Sequence, residues 1–93
     1  MKRNFRSCSG EIDIVAFDPN SKTVIFVEVK LRKKNSLTSP EETITERKMS
    51  KIRTTALKFL GELTIKYENV RFDFIGIDYS NEKTAVTHIE NAF

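Results

Sequence analysis

The stretch Val24–Leu31, VIFVEVKL, is apolar at six of its eight positions, yet it carries Glu28 and Lys30 two residues apart. A run that is apolar on both faces predicts a central strand of a sheet. Because side chains alternate along a strand, both charges project to one face, together with Val24 and Phe26. A buried, unpaired charge costs several kcal/mol. The pattern predicts either a modest ion pair at the exposed end of the strand or a site that needs both charges.

Length and composition indicate a single domain over residues 1–93. The chain is 39% apolar and 31% charged, as in an ordinary soluble globular protein, and it contains no apolar run of the ~18 residues that a membrane span requires. No apolar segment follows the basic residues of MKRNFRSCSG, so no secretory signal is expected. The single Cys8 fits a reducing, cytoplasmic location.

Positive charge is concentrated in one third of the chain. Between Lys30 and Lys58 nine Lys or Arg face three Glu, a net charge of +6, whereas the remaining residues carry seven basic against ten acidic groups, a net −3. Such a segment is either the solvated face of a helix or the electrostatic footprint of a polyanion.

Hydrophobic periodicity predicts five strands and one helix in the order βββαββ. Asp18-Pro19-Asn20-Ser21 is a turn signal between two strands, which predicts an antiparallel hairpin. Strands on either side of one long helix are most simply parallel neighbours. The fold class is therefore α/β, a mixed sheet with a crossover helix packed on it. The predicted strands are Asn4 to Ser7, Glu11 to Phe17, Thr23 to Leu31, VRFDFIGID (70–78) and TAVTHIE (84–90), with RKKNSLTS (32–39) as a basic loop and YSNEK (79–83) as a turn.

The helix is predicted to begin at Ser39 as N-cap, with Pro40 at its first position and Glu42 completing a capping box. We expect six or seven turns that end before Asn69. One apolar stripe runs along it: Ile44, Ile52, Ala56, Phe59, Leu60, Leu63 and Tyr67.

Lys48 lies on that stripe, four residues from both Ile44 and Ile52. A helix that packs on the sheet would direct it toward the face of Glu28 and Lys30. The alternative is a lysine that extends from the edge of the stripe into solvent.

Asp13 belongs to the neighbouring predicted strand, and hairpin pairing could bring its carboxylate close to Glu28. Two adjacent carboxylates repel each other unless a hard cation lies between them. Mg²⁺ suits such a site, because it binds one or two carboxylates and completes its shell with water and phosphate oxygens. His88 has no Cys or second His with which to form a zinc site and is expected on an edge strand.

Fourteen residues separate Asp13 from Glu-Val-Lys, an arrangement found in the PD-(D/E)xK nuclease core. The blocks NFRSCSGEIDIVAFD, VIFVEVKLRKK, ERKMSKIRTTALKFL, VRFDFIG and HIENAF together resemble the YraN-like family of predicted endonucleases over essentially the whole chain. The resemblance implies a restriction-endonuclease-like fold and a metal-dependent endonuclease that acts on DNA, with structure-selective recognition, for example of branched DNA, or nonspecific recognition.

The resemblance also implies roles for individual residues. Asp13, Glu28 and the Val29 carbonyl would hold Mg²⁺ or Mn²⁺. Lys30 would orient the attacking water and stabilise charge on the pentacoordinate phosphorus. Lys48 would help support the transition state or hold the adjacent phosphate. The residues expected to contact DNA phosphates are Arg32, Lys33, Lys34, Arg47 and Lys51.

Members of the YraN-like family ordinarily begin with a further helix that carries another acidic residue, and this sequence starts almost at the strand that follows it. We therefore expect a metal site with two acids rather than three, and a sheet face that favours self-association, for example by exchange of elements between chains. Two alternatives to a nuclease stay open. One is a nucleic-acid-binding or assembly module that cannot cut, and the other is a domain whose basic helix binds an acidic protein.

Overall fold

The computed structural model describes residues 2–8, 10–33, 46–80 and 82–92. They form one five-stranded sheet in the order β1-β2-β3-β4-β5 and one helix. The elements are β1 (Lys2–Ser7), β2 (Gly10–Asp18), β3 (Thr23–Lys33), α1 (Glu46–Glu62), β4 (Asn69–Tyr79) and β5 (Thr84–Ile89). Strands β3 and β4 are parallel, and the other neighbouring pairs are antiparallel. The mixed sheet, the central position of β3 and the element order are confirmed.

The turn between β2 and β3 is held by the side chain of Asp18. Its carboxylate accepts hydrogen bonds from the Asn20 backbone N–H and the Ser21 hydroxyl, both at 3.0 Å. These bonds lower the pKa of Asp18. The predicted hairpin is thereby confirmed, and its turn fixes the register in which Ile14 of β2 faces Val27 of β3.

The core lies between α1 and the β1–β3 half of the sheet. The Phe59 ring packs edge-on against Phe5 and Phe26, with centroid distances of 5.1 and 5.8 Å. The buried members of this core are Ile12, Val15, Val24, Phe26, Ile52, Ala56 and Phe59. Since the buried residues of α1 recur at three- and four-residue steps, the helix presents one apolar stripe to the sheet.

The end of the helix differs from the prediction. Helix α1 ends at Glu62, so Leu63 and Tyr67 follow it rather than belong to it. The Leu63 N–H bonds to the Leu60 carbonyl at 3.2 Å, which closes the last turn with a tighter 3₁₀-type bond. The predicted start at Ser39, Pro40 and Glu42 and the stripe residue Ile44 lie outside the described residues.

A tertiary contact accounts for the early end. The backbone N–H groups of Glu68 and Asn69 both bond to the Lys22 carbonyl, at 2.8 and 3.2 Å. The chain is thus anchored to the β2–β3 turn just before β4 begins, and residues 63–67 must be extended enough to reach it. Gly61 has a low helix propensity and weakens the last turn.

The alternation of side chains along β2 is interrupted at Asp13. Ile12 and Val15 are both buried in the core, although they are three residues apart and an unbroken strand would place them on opposite faces. In the β1–β2 register Phe5 lies opposite Ile12, and Arg3 lies opposite Ile14. Between these two pairs, Asn4 of β1 has a φ of 53°. Such irregularities in a strand redirect a side chain.

The start of β2 approaches α1 closely at Gly10. A Cβ atom there would lie 3.3 Å from Thr55 Oγ1, and the φ of Gly10 is +153°. Glycine satisfies both constraints, because it has no side chain and tolerates positive φ. The close approach sets the distance between β2 and the helix beside the candidate site. None of the described helices has the length and apolar character needed to cross a bilayer.

Candidate active site

A pocket of about 620 Å³ opens between β2, β3 and the first turns of α1. Gly10, Glu11 and Asp13 line it from β2 and Glu28 lines it from β3. The helix contributes Arg47, Lys48, Lys51 and Ile52. Five of the predicted site side chains, which come from three different elements, therefore share this pocket: Asp13, Glu28, Arg47, Lys48 and Lys51.

Glu28 and Lys48 form an ion pair in the pocket. Lys48 Nζ lies 3.0 Å from Glu28 Oε1, with 36% of the Lys48 side chain and 11% of the Glu28 side chain exposed. Lys48 lies on the helix face that its spacing from Ile52 predicted, which is the face toward Glu28. Because Phe74 of β4 is fully buried and sits beside Glu28 in the parallel register, the carboxylate has an apolar neighbour as well as a cationic one.

The pKa of Glu28 is raised above its ordinary value. Burial is the main cause, because it removes water from the ionised form. The hydrogen bond from Lys48 acts in the opposite direction, the negative charge of Asp13 raises the pKa further, and the charge of Lys30 lowers it. Burial therefore destabilises the ionised form of Glu28, and a nearby cation would stabilise it.

The Asp13 carboxylate bridges the gap between β2 and β3. Its Oδ2 accepts a hydrogen bond from the Val29 backbone N–H at 2.8 Å. The N–H and C=O of one strand residue point to the same edge of the strand, so the Val29 carbonyl also faces β2. The irregularity in β2 has thus directed Asp13 to the same strand edge as Val29 and the same pocket as Glu28.

The other predicted basic residues are distributed unevenly. Lys30 is half-buried on the same face of β3 as Glu28 and affects its pKa, but it lies beside the pocket rather than in its lining. Arg47 and Lys51 are exposed at the pocket wall. Lys33 is exposed at the far end of β3, five residues or about 16 Å from Glu28. Arg32 belongs to β3, but its side chain is not described, and Lys34 lies outside the described residues.

The oxygen donors of the pocket fit a hard divalent cation in part. Asp13, Glu28 and the Val29 carbonyl are donors of the kind that Mg²⁺ and Mn²⁺ prefer. The Lys48 ammonium already places a positive charge against one of them. Within residues 2–8, 10–33, 46–80 and 82–92, however, no three His, Cys, Asp or Glu side chains are grouped to hold a metal.

Glu11 is a pocket residue that sequence reasoning missed. It lines the pocket as a third acid, and its carboxylate is 3.3 Å from Arg6 Nε of β1. The sequence signal was its position two residues before Asp13 in GEID. The arginine contact directs Glu11 toward β1, which separates it from the Asp13 and Glu28 pair.

A second buried acid, Asp73 in β4, was also missed. Its side chain is 1% exposed and accepts hydrogen bonds from Arg71 at 2.9 and 3.0 Å, from His88 Nε2 at 2.8 Å and from the Asn91 N–H at 3.2 Å. Burial raises its pKa, but these donors outweigh burial and the net pKa is lowered. The charge within the apolar strand VRFDFIG was the available signal. His88 lies on the edge strand β5, as predicted, and with Asp73 it ties β5 to β4.

The fold and the pocket define an α/β protein with paired carboxylates and basic side chains at the junction of sheet and helix. The chain belongs to the uncharacterised protein family UPF0102, whose model matches residues 1–77. This confirms the resemblance to the YraN-like family at the level of the family. Three UPF0102 proteins illustrate it: those of Sulfurihydrogenibium sp. (strain YO3AOP1), Geobacter metallireducens and Persephonella marina are 40%, 41% and 43% identical to this chain over 93 residues. Each alignment covers all of this chain and 75% or 76% of the relative.

Proposed function

We propose that this protein is a metal-dependent endonuclease of the PD-(D/E)xK type, with a restriction-endonuclease-like fold, that hydrolyses DNA phosphodiester bonds. The observation that carries the proposal is the convergence of Asp13, Glu28 and Lys48 on one pocket whose walls also carry Arg47 and Lys51. Carboxylates alone could bind a cation, and basic residues alone could bind phosphate. Their combination in one pocket matches the needs of phosphodiester hydrolysis, which requires both.

Each side chain has a role in this proposal. Asp13 and Glu28, with the Val29 carbonyl, would hold the divalent cation, which when bound polarises a phosphoryl oxygen and lowers the pKa of water. Lys30, beside Glu28 on the same strand face, would orient the attacking water. Lys48 would stabilise the negative charge that develops on the phosphoryl oxygens.

DNA contact would fall to the exposed cations. Arg47 and Lys51 line the pocket and would bind the phosphates that flank the reacting one. Such contacts are independent of sequence and strongly salt-dependent. Recognition that is structure-selective or nonspecific agrees with a site whose described polar groups are charged side chains suited to phosphate.

A cleavage assay tests the proposal. Linear duplex and four-way branched DNA would be incubated with the protein in Mg²⁺, in Mn²⁺ and in EDTA. Cleavage should require the metal, and Asp13→Asn and Glu28→Gln should each reduce it by at least about a hundredfold. Lys22→Met is the matched control, because it removes an exposed lysine of the β2–β3 turn, six residues or about 20 Å from Glu28, and should retain most activity. Equal cleavage by the Glu28→Gln protein would refute the proposal.

A second candidate is an assembly or nucleic-acid-binding module that has the same fold and does not cut. It is supported by the two-acid site, because the described residues group no third acid with Asp13 and Glu28. It is also supported by a row of apolar side chains, Leu31, Ile77 and Val86, which are direct neighbours across three strands. Leu31 and Val86 are 62% and 64% exposed, and the row lies on the sheet face away from α1.

Two measurements separate the candidates. Sedimentation across a hundredfold concentration range would show whether the chain self-associates, and Val86→Lys should weaken any association that uses the exposed row. DNA binding without metal-dependent cleavage, at protein concentrations that saturate the DNA, would favour the second candidate.

A further inference from the structure

The ion pair between Lys48 and Glu28 places a cation of the chain itself at the proposed metal site. Lys48 Nζ is 3.0 Å from Glu28 Oε1, a distance at which the ammonium donates a charge-assisted hydrogen bond to the carboxylate. An oxygen that binds the ammonium is directed toward it and is less available as a ligand. Lys48 and a divalent cation would therefore compete for Glu28.

The two members of the pair differ in how easily they can move. Glu28 belongs to the central strand and its side chain is 11% exposed, so its position is fixed. Lys48 is 36% exposed on a four-carbon side chain, and its ammonium can reach solvent when it leaves. The helix itself stays in place, because Ile52, one turn further along, is buried in the core.

We infer that Lys48 is a displaceable internal cation that occupies Glu28 in the metal-free protein and is released when a divalent cation binds. The inference rests on the proposed function, since it concerns the same site. It assigns Lys48 a regulatory role as well as the role in transition-state stabilisation proposed above. The released ammonium stays within reach of the pocket and becomes available to a phosphate only after the metal is bound, which orders metal binding before productive DNA binding.

Lys51 offers a matched control for the competition. It lines the same pocket, lies three residues further along the helix and carries the same charge, whereas the ion pair with Glu28 is made by Lys48. Removing either lysine lowers the positive potential of the pocket by one charge. Only removing Lys48 also frees the Glu28 oxygen, so the difference between the two variants isolates the direct competition.

The test measures metal binding in the absence of DNA, by calorimetric titration of Mn²⁺ into the wild-type protein and the Lys48→Met, Lys51→Met and Glu28→Gln variants. Lys48→Met should bind Mn²⁺ at least about fivefold more tightly than wild type, the lower end of typical coupling between two sites. Lys51→Met should change the affinity by about twofold or less, and Glu28→Gln should bind much more weakly.

Each other outcome has a defined meaning. If the wild type binds Mn²⁺ and Lys48→Met binds it equally or more weakly, the competition is overturned while the metal site stands. If Lys48→Met and Lys51→Met tighten binding equally, the effect is one of general charge and the inference is again overturned. If neither the wild type nor Lys48→Met binds Mn²⁺, the proposed function fails and the inference fails with it.

A second measurement does not depend on the variant folding. In the wild-type protein, the NMR signals of the Lys48 side chain should shift when Mg²⁺ is added and should saturate together with calorimetric binding. Lys48 signals that do not change at saturating Mg²⁺ would overturn the inference. The Lys51 side chain, observed in the same spectra, should shift less.

Discussion

Replacing Glu28 by Gln should make the protein more stable while it removes the proposed activity. Glu28 is 11% exposed in the central strand, and its pKa is raised mainly by burial. The ion pair with Lys48 holds Glu28 as an ionised carboxylate in the folded state, and this carboxylate would be better hydrated in the unfolded chain. Gln keeps the shape of the side chain and removes this charge.

The expected change in the free energy of unfolding is the difference between two opposing contributions. Burial of an ionised carboxylate costs several kcal/mol after relaxation of the protein. The Lys48 ammonium at 3.0 Å returns about 1.4 kcal/mol at the dielectric constant of water and about 5.5 kcal/mol at an effective dielectric constant of 20. Because Lys48 is 36% exposed, the smaller value weighs more. The raised pKa of Glu28 indicates that the cost of burial exceeds the gain from Lys48. We therefore expect Glu28→Gln to add about 1 kcal/mol to the free energy of unfolding.

The dependence of this gain on pH gives the assay its specificity. A carboxyl group with a raised folded-state pKa makes the wild type less stable as pH rises from the ordinary value of 4.5 through the raised value. The advantage of Glu28→Gln should thus be present at pH 7, should shrink as pH falls toward 4.5 and should disappear below about pH 4.5. Urea unfolding of both proteins at pH 7, 5.5 and 4 measures it, and at pH 7 the melting temperature should rise by about 4–8 °C.

Glu11→Gln is the control, because Glu11 lines the same pocket with 37% of its side chain exposed and pairs with Arg6 at the surface. Its substitution should change stability by less than about 0.5 kcal/mol. A Glu28→Gln protein that is no more stable than wild type at pH 7, or whose advantage is the same at pH 4, would show that the burial of Glu28 carries no cost.

Three further substitutions test the fold that positions the site, all by urea unfolding. Asp73→Asn should lower the free energy of unfolding by about 3 kcal/mol at pH 7, because Arg71 and His88 lose a buried charged acceptor. Since the pKa of Asp73 is lowered, this loss should persist down to about pH 3.8 and shrink below it. A loss that does not depend on pH would contradict the assignment. Gly10→Ala should cost about 1–3 kcal/mol through its φ of +153°, and an unaltered stability would mean that β2 can move away from α1. Phe59→Ala should lower the free energy of unfolding by about 3–5 kcal/mol, because Phe59 is buried in the core. Leu57, which is 69% exposed, provides the control, and Leu57→Ala should change stability by less than about 0.5 kcal/mol.

Hydrophobic pattern determined the architecture in advance. VIFVEVKL is apolar on both faces, a pattern typical of strands inside a sheet rather than at its edge, and β3 is the central strand. One long amphipathic segment between two strands favours a parallel pair, and β3 and β4 are parallel. The helical spacing of Lys48 from Ile52 also placed its side chain toward Glu28. These features depend on local periodicity, so they can be predicted from the sequence.

Tertiary contacts decided the rest. The end of α1 depends on the bonds from Glu68 and Asn69 to Lys22, more than forty residues away along the chain. The position of Asp13 depends on an irregular step in β2 that no periodicity predicts, and Asp73 is buried because groups from β4, β5 and the following turn all donate to it. Sequence spacing fixes which face a side chain takes, whereas the distance between two charges is set by how separate elements pack.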